Sequence, residues 1–339
     1  MSLPWKAFAC GLCAWAAVAG AQAADKEPAP APDAAAKPAP DAAAEPAANP
    51  AHEQALEALL EAEKLFGAAK FDEGVDLLWE RAARLPAGDD ADALRLMALR
   101  VLVARCVQDG AETAPVAARI EEAVRLRGPE HGDWVRLDAV RCCMLLADYD
   151  RARRICRGLL EDPGPAPAAG IPPAGRPPER EAARRDAREM EQRLELIGRP
   201  CPAFEVKALD GRPAGPALCR GRVTLLAFWA TDCRPSLAEL AGLRALHDEF
   251  APKGLEILGL SADEDEDRLR AFVRERGLPW RQAFLGRAKF RELAEACRTG
   301  GVTPAFLLLD RAGTVRGVDL RGAVLRARVR AAMTEELAP

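Results

Sequence analysis

From residue 52 to residue 161, apolar positions recur every three or four residues, as in Leu56, Leu59 and Leu60 and again in Val75, Leu78, Trp79 and Ala82. That period puts one apolar stripe on each of a series of amphipathic helices. Breaks at 67–70, 86–90, 108–112, 128–132 and 147–148 divide the stretch. They leave about six helices of roughly 12 to 18 residues joined by short turns, which predicts three antiparallel helical hairpins, an all-α unit. A charged helix over 179–197 follows, with the seam Ala183, Ala187, Met190, Leu194 and Ile197, and it stops at Gly198. It is expected to dock on what comes next.

Beyond residue 198 the pattern changes. VTLLAFWA at 223–230 is continuously apolar and rich in strand formers, and 255–260 and 305–309 read the same way. Such runs predict central strands buried on both faces. Helical patterns at 236–250, 264–276 and 287–297 separate them, and Asp310-Arg311-Ala312-Gly313 turns the third run back into a strand over 314–320. The expected fold is α/β, a mixed sheet flanked by helices.

Two stretches lack any such period. Residues 24–50 are almost wholly Ala, Pro, Asp, Glu and Lys, a composition with nothing to build a core, and read as an extended spacer. Residues 162–178 are dense in Pro and Gly and read as a linker. Residues 1–23 carry one lysine, an apolar run over 7–19 and the small-residue pattern Ala21-Gln22-Ala23, the form of a secretory signal cleaved after Ala23. The expected location is secreted or periplasmic, with an uncleaved membrane anchor as the alternative. The chain thus divides into a signal (1–23), a spacer (24–50), a helical domain (51–161), a linker (162–178), a connecting helix (179–197) and an α/β domain (198–339).

Composition narrows the function. A chain of 339 residues with 49% hydrophobic residues is long enough for two cores. A net charge of −4, with both signs interleaved, offers no basic stripe for nucleic acid. In the helical part, the stretches from Lys70 to Pro86 and from Asp148 to Pro163 look alike: an aromatic at the turn (Phe71, Tyr149), a small residue three later (Gly74, Ala152) and a closing proline. This resembles the tetratricopeptide repeat, which implies stacked hairpins and a groove for a protein partner. A purely structural spacer is the other reading.

Of ten cysteines, Cys10 and Cys13 form a Cys-x-x-Cys inside the signal, with no histidine following as haem attachment requires. Cys106, Cys142, Cys143 and Cys156 lie among apolar helical residues and are expected to be small buried hydrophobes, with a disulfide from Cys142 or Cys143 to Cys156 conceivable across the third hairpin. No metal or cofactor site is expected. Cys297 shares an apolar face with Phe290, Leu293 and Ala294, and Cys201 and Cys219 flank the first strands without a motif.

The remaining cysteine lies within a set of spaced motifs: Gly198-Arg-Pro200-Cys-Pro202-Ala-Phe204, Leu209-Asp210-Gly211, Arg220-Gly221-Arg222-Val223, Phe228-Trp229-Ala230-Thr231-x-Cys233-x-Pro235, Glu239 and Thr303-Pro304. Together they resemble the TlpA/ResA-type thioredoxin-like family of extracytoplasmic thiol proteins over roughly 196–335. The resemblance implies a thioredoxin fold in which Cys233 caps a helix N-terminus, where free backbone N–H groups and the helix dipole favour a thiolate nucleophile. Asp232 opposes that field and Arg234 supports it. Glu239 matches the acid that tunes the active-site thiols and moves protons, a solvated helix glutamate being the other reading. Thr303-Pro304 matches a cis-proline beside the cysteine, where the preceding backbone pairs with an extended substrate. Trp229, Asp232, Arg234, Pro235, Thr303 and Pro304 make up the implied substrate-binding set, with Trp229 expected to pack beneath the loop.

Two positions depart from the family pattern. Asp232 replaces a tryptophan, and Ser236 replaces the second cysteine. Serine cannot displace sulfur, so the usual dithiol cycle is closed at this motif. What remains is a monothiol protein that exchanges or shuffles protein disulfides and takes a second thiol from an external thiol or reductase. The rival is a redox-inactive binding module. A peroxidase of the peroxiredoxin type is disfavoured, because the threonine expected three residues before the cysteine is Ala230.

Overall fold

The computed structural model describes residues 49–127, 132–162 and 178–334. The signal, the spacer up to residue 48 and most of the linker lie outside the described residues. Seven helices come first: α1 (Pro50–Gly67), α2 (Phe71–Arg84), α3 (Asp89–Asp109), α4 (Ala114–Leu126), α5 (Gly132–Leu145), α6 (Tyr149–Glu161) and α7 (Pro178–Leu194). The first begins at the last residue of the Ala/Pro stretch. There Asn49 accepts a hydrogen bond from the Ala51 N–H, and Pro50, which has no N–H to leave unpaired, opens the first turn.

The two look-alike turns share one hydrogen-bond pattern. After α1 the Lys70 N–H reaches the Leu65 carbonyl, and after α5 the Asp148 N–H reaches the Cys143 carbonyl, each closing its helix five residues back. Both turns hold an alanine, Ala69 and Ala147, in the left-handed region. The small residues matter for packing: a Cβ on Gly74 would lie 2.3 Å from the Phe66 ring, and Ala152 is fully buried. Aromatic and small residues thus let α1 close on α2, and α5 on α6. No disulfide joins the helices: Cys142, Cys143 and Cys156 are free buried thiols, and Cys156 gives its proton to the Ala187 carbonyl on α7. With Cys106 they are small buried groups in the helical core, and the conceivable bridge from Cys142 or Cys143 to Cys156 is not formed.

The second unit begins with a small hairpin, β1 (Val206–Lys207) with β2 (Pro213–Ala214). It then runs β3 (Val223–Trp229), α8 (Arg234–Phe250), β4 (Leu255–Ser261), α9 (Glu266–Arg276), β5 (Arg281–Phe284), α10 (Gly286–Ala296), β6 (Ala305–Leu309), β7 (Val315–Val318) and α11 (Gly322–Thr334). The sheet order is β5-β4-β3-β6-β7, parallel on one side of β3 and antiparallel on the other. All seven residues of β3 are buried, and Leu225, Leu226 and Phe228 are wholly enclosed. Each such side chain contributes about 1.5–3 kcal/mol, which makes β3 the spine of the core.

Two elements escape the sequence pattern. β5 is four residues long, too short to show a period, and α11 interleaves arginine so densely with Val, Leu and Ala that no clean stripe emerges. α11 also explains how the two units meet. Its Gly322 lies so close to α3 that a Cβ there would be 2.1 Å from the Val107 carbonyl oxygen. The Arg328 side chain donates to the Ala147 carbonyl, and the Val318 N–H on edge strand β7 donates to the Tyr149 hydroxyl at 3.1 Å. The helical unit thereby satisfies the Val318 N–H on a sheet edge whose Val315 is already paired with residues 198–199.

Candidate active site

β3 delivers the chain to the site through a loop, Ala230–Cys233, held by a buried carboxylate. Asp263, just past β4, accepts from the Thr231 N–H at 3.1 Å, from the Thr231 hydroxyl at 2.5 Å and from the Ser261 hydroxyl at 2.5 Å. A carboxylate with several short donors fixes the loop without leaving a buried lone pair bare. Asp263 carries no motif and was not among the sequence candidates; its only signal is a position immediately after a buried strand.

Cys233 is the N-cap of α8, with extended backbone, and Pro235 occupies the first turn, where its missing N–H costs nothing. The cysteine side chain makes no capping bond to the helix. Its sulfur instead donates to the Thr303 carbonyl at 3.3 Å, and the Thr303–Pro304 peptide is cis. Cys233, Thr303 and Pro304 are therefore brought together, as the resemblance implies. Cys233 is half-buried, whereas the other seven described cysteines are buried.

Ser236 lies one turn in and is 1% exposed, and its Oγ has no hydrogen-bond partner among the described residues. Ser236 thus keeps a buried polar atom at the position where the family pattern has its second cysteine. Asp232 and Arg234 are exposed on either side of Cys233, and Pro235 is half-buried. Trp229 belongs elsewhere. It is 3% exposed, gives its indole N–H to Gln282 Oε1 at 3.0 Å and leans on Phe272, so it is removed from the substrate-contact set.

Glu239 is not a solvated glutamate. Burial raises its pKa above the ordinary carboxylate value, and the Arg321 guanidinium, 3.7 Å away, partly offsets this. Arg321 also donates to the Pro304 carbonyl at 2.8 Å and lies over the Phe306 ring. It joins Glu239 to the cis-proline loop. No spacing in the sequence marks it, because it approaches from the far end of the chain.

The other cysteines of this unit are buried. β3 and β6 are antiparallel, with Phe228 opposite Ala305 at the Cys233 end and Thr224 opposite Leu309 at the other. The Cys201 N–H bonds to the Gly313 carbonyl, beyond Leu309, and Cys219 precedes β3. Cys297 caps the C-terminus of α10. At about 3.4 Å per residue the ladder separates Cys201 and Cys219 from Cys233 by well over ten ångströms, so neither resolves a bond made there, and Cys297 is buried at 1% exposure.

Comparison with known proteins agrees with this geometry. Residues 197–318 match the AhpC/TSA family. A thiol-disulfide oxidoreductase ResA from Bacillus thuringiensis is 31% identical over 127 residues, 37% of this chain and 69% of that protein. The thioredoxin-like protein YneN of Bacillus subtilis is 35% identical over 79 residues, 22% of this chain and 46% of that protein. A crystal structure of the thioredoxin domain of a thiol-disulfide oxidoreductase from Bacteroides vulgatus is 25% identical, with a TM-score of 0.38 over 41% of this chain and 98% of that one. The C-terminal domain is thioredoxin-like. The chain belongs to the TlpA/ResA-type thioredoxin-like family, whose relatives support an oxidoreductase-like activity on thiols and disulfides.

Proposed function

We propose that the protein carries out thiol-disulfide exchange on extracytoplasmic protein substrates with Cys233 as its single nucleophile. One observation carries the reading: of eight described cysteines, Cys233 alone reaches the surface, and it does so at a helix N-terminus against the Thr303 carbonyl. There the Arg234 and Ser236 N–H groups lack backbone partners and face the region where negative charge develops on sulfur. The Cys233 thiolate attacks one sulfur of a substrate disulfide, a mixed disulfide forms, and the displaced substrate thiolate takes up a proton. Release follows when a second substrate thiolate or an external thiolate attacks the substrate sulfur of the mixed disulfide, forms a disulfide with it and expels the Cys233 thiolate. Glu239, whose pKa burial raises, is in this reading the acid that exchanges that proton.

The α1–α6 hairpins serve, in this reading, to recruit or orient a protein partner, and the 1–23 segment directs the chain out of the cytoplasm. A redox-silent binding module is the alternative, favoured by the substitution at Ser236. Trapping decides between them. The protein with glutathione disulfide, followed by acid quench and mass spectrometry, is expected to carry one glutathione on Cys233, and Cys233→Ala none. An unmodified protein under conditions where free cysteine reacts would establish the silent module.

A further inference from the structure

The backbone that faces the Cys233 sulfur lies at the end of a pliable segment. Between Thr299 and the cis Thr303–Pro304 peptide, Gly300 and Gly301 both take positive φ, +70° and +68°. Glycine has more conformational freedom to lose than any other residue, so the place of the Thr303 carbonyl depends on what ties the two ends. At the far end Arg321 donates to the Pro304 carbonyl at 2.8 Å. At the near end the tie comes from the other unit. Arg193, in the last turn of α7, donates through Nη2 to the Thr299 carbonyl at 2.9 Å and through Nη1 to Asp319 Oδ2 at 3.0 Å. One planar fork thus joins the segment entering β6 to the segment leaving β7. The fit is close: a Cβ on Gly300 would lie 2.5 Å from Arg193 Nη2, so the glycine leaves the room that the guanidinium fills.

Arg193 is itself placed by the helical unit. Arg153 on α6 donates to the Leu194 carbonyl at 3.0 Å, one residue beyond Arg193, the Cys156 thiol on α6 donates to the Ala187 carbonyl, and Arg141 on α5 pairs with Asp186 at 3.1 Å. A second, exposed bond runs alongside, from Arg298 to Gln192 Oε1 at 3.2 Å. We propose that Arg193 is a positioning residue for the Cys233 site: it carries the placement of α7 on the helical unit across to the 299–303 segment and so holds the Thr303 carbonyl on the cysteine sulfur. The helical unit is then part of how the site is built. Arginine suits the task because both acceptors are met by one rigid fork, whereas the compact ammonium of lysine has no such geometry.

The test reads the Cys233 S–H stretch of the full chain by Raman difference spectroscopy, each protein measured against the same protein carrying Cys233→Ala so that the other thiols subtract out. In wild type the band should be that of a hydrogen-bonded thiol. In Arg193→Gln it should move to the position of a free thiol in water, and in Arg193→Lys, which keeps a donor and a charge, it should move only part of the way. Arg328→Gln controls for a merely structural effect: it removes the bond to the Ala147 carbonyl, another contact between the units, and should leave the band in place. Adduct formation with glutathione disulfide should slow about tenfold in Arg193→Gln and hold its rate in Arg328→Gln, since a small misplacement at a reacting centre carries a cost of that order. As a role in catalysis this rests on the proposed exchange at Cys233, and the two fail differently: a wild type that forms no adduct removes the exchange reading and leaves the band to decide the role of Arg193. A wild-type band already free, a band that stays put in Arg193→Gln or moves as far in Arg328→Gln, or a reactive wild type whose rate Arg193→Gln preserves, would overturn the proposal.

Discussion

At one end of the β3–β6 ladder Cys233 stands half-exposed at the start of a long helix, its sulfur on a backbone carbonyl and polar groups around it. At the other end Cys201 and Cys219 are packed into the base of the same domain, and Cys297 is buried as well. The side chain is identical in both places. What differs is access and field, because a thiolate needs both an approach path and a stabilising dipole, and only the first site offers them. In the proposed function, chemistry at the upper end is set by position, and the missing second cysteine changes how turnover ends rather than whether attack can begin.

The comparison is broken most sharply by Ser236→Cys. A thiol one helix turn from Cys233 would make release intramolecular, and the glutathione adduct should decay at least about a hundredfold faster in stopped-flow quench experiments, given the effective molarity of adjacent groups. An unchanged decay would place residue 236 out of reach of the sulfur. Next in size is Asp263→Ala, which strands the Thr231 N–H and two hydroxyls in a buried pocket. Denaturant titration should show a loss of about 3 kcal/mol, and the loop carrying Cys233 should lose hydrogen-exchange protection. The cysteines at the base should be unaffected.

Tyr149→Phe probes the contact that holds the helical unit on β7. It leaves the Val318 N–H without its partner, and a cost of about 1–2 kcal/mol is expected. The wild-type contact has a pH signature as well. Burial raises the Tyr149 pKa to about 12, above its value in the unfolded chain, so its contribution is complete below about pH 10 and is lost as the pH climbs toward 12. Tyr149→Phe should flatten that part of the stability profile.

The smallest effect is at Glu239. Its folded pKa is raised by burial, so this group favours the fold at acid pH and its contribution is lost as the pH rises through the folded value. Glu239→Gln should gain a few tenths of a kcal/mol at neutral pH, roughly 1 °C in melting temperature, while slowing exchange at Cys233.

Legibility differed between these regions for physical reasons. β3 could be read from its unbroken apolar run, and Cys233 from the motif that follows it, because both are local signals. The turn signals likewise separated α1 from α2 and α5 from α6. Asp263 and Arg321 could not be read: the fold brings Asp263 to Thr231 and Arg321 to Glu239 from 30 or more residues away, and neither has a periodic or turn context. Trp229 follows the strand rather than the loop: β3 is buried along its whole length, and the indole N–H bonds to Gln282.

The central claim, that position singles out one thiol, is tested most directly by timed alkylation of the native protein with iodoacetamide and peptide mapping of the eight described cysteines. The expected result is rapid, exclusive modification of Cys233, with the other seven modified only after unfolding. Equal rates across several cysteines, or a Cys233 that stays unmodified while a buried cysteine reacts, would contradict it.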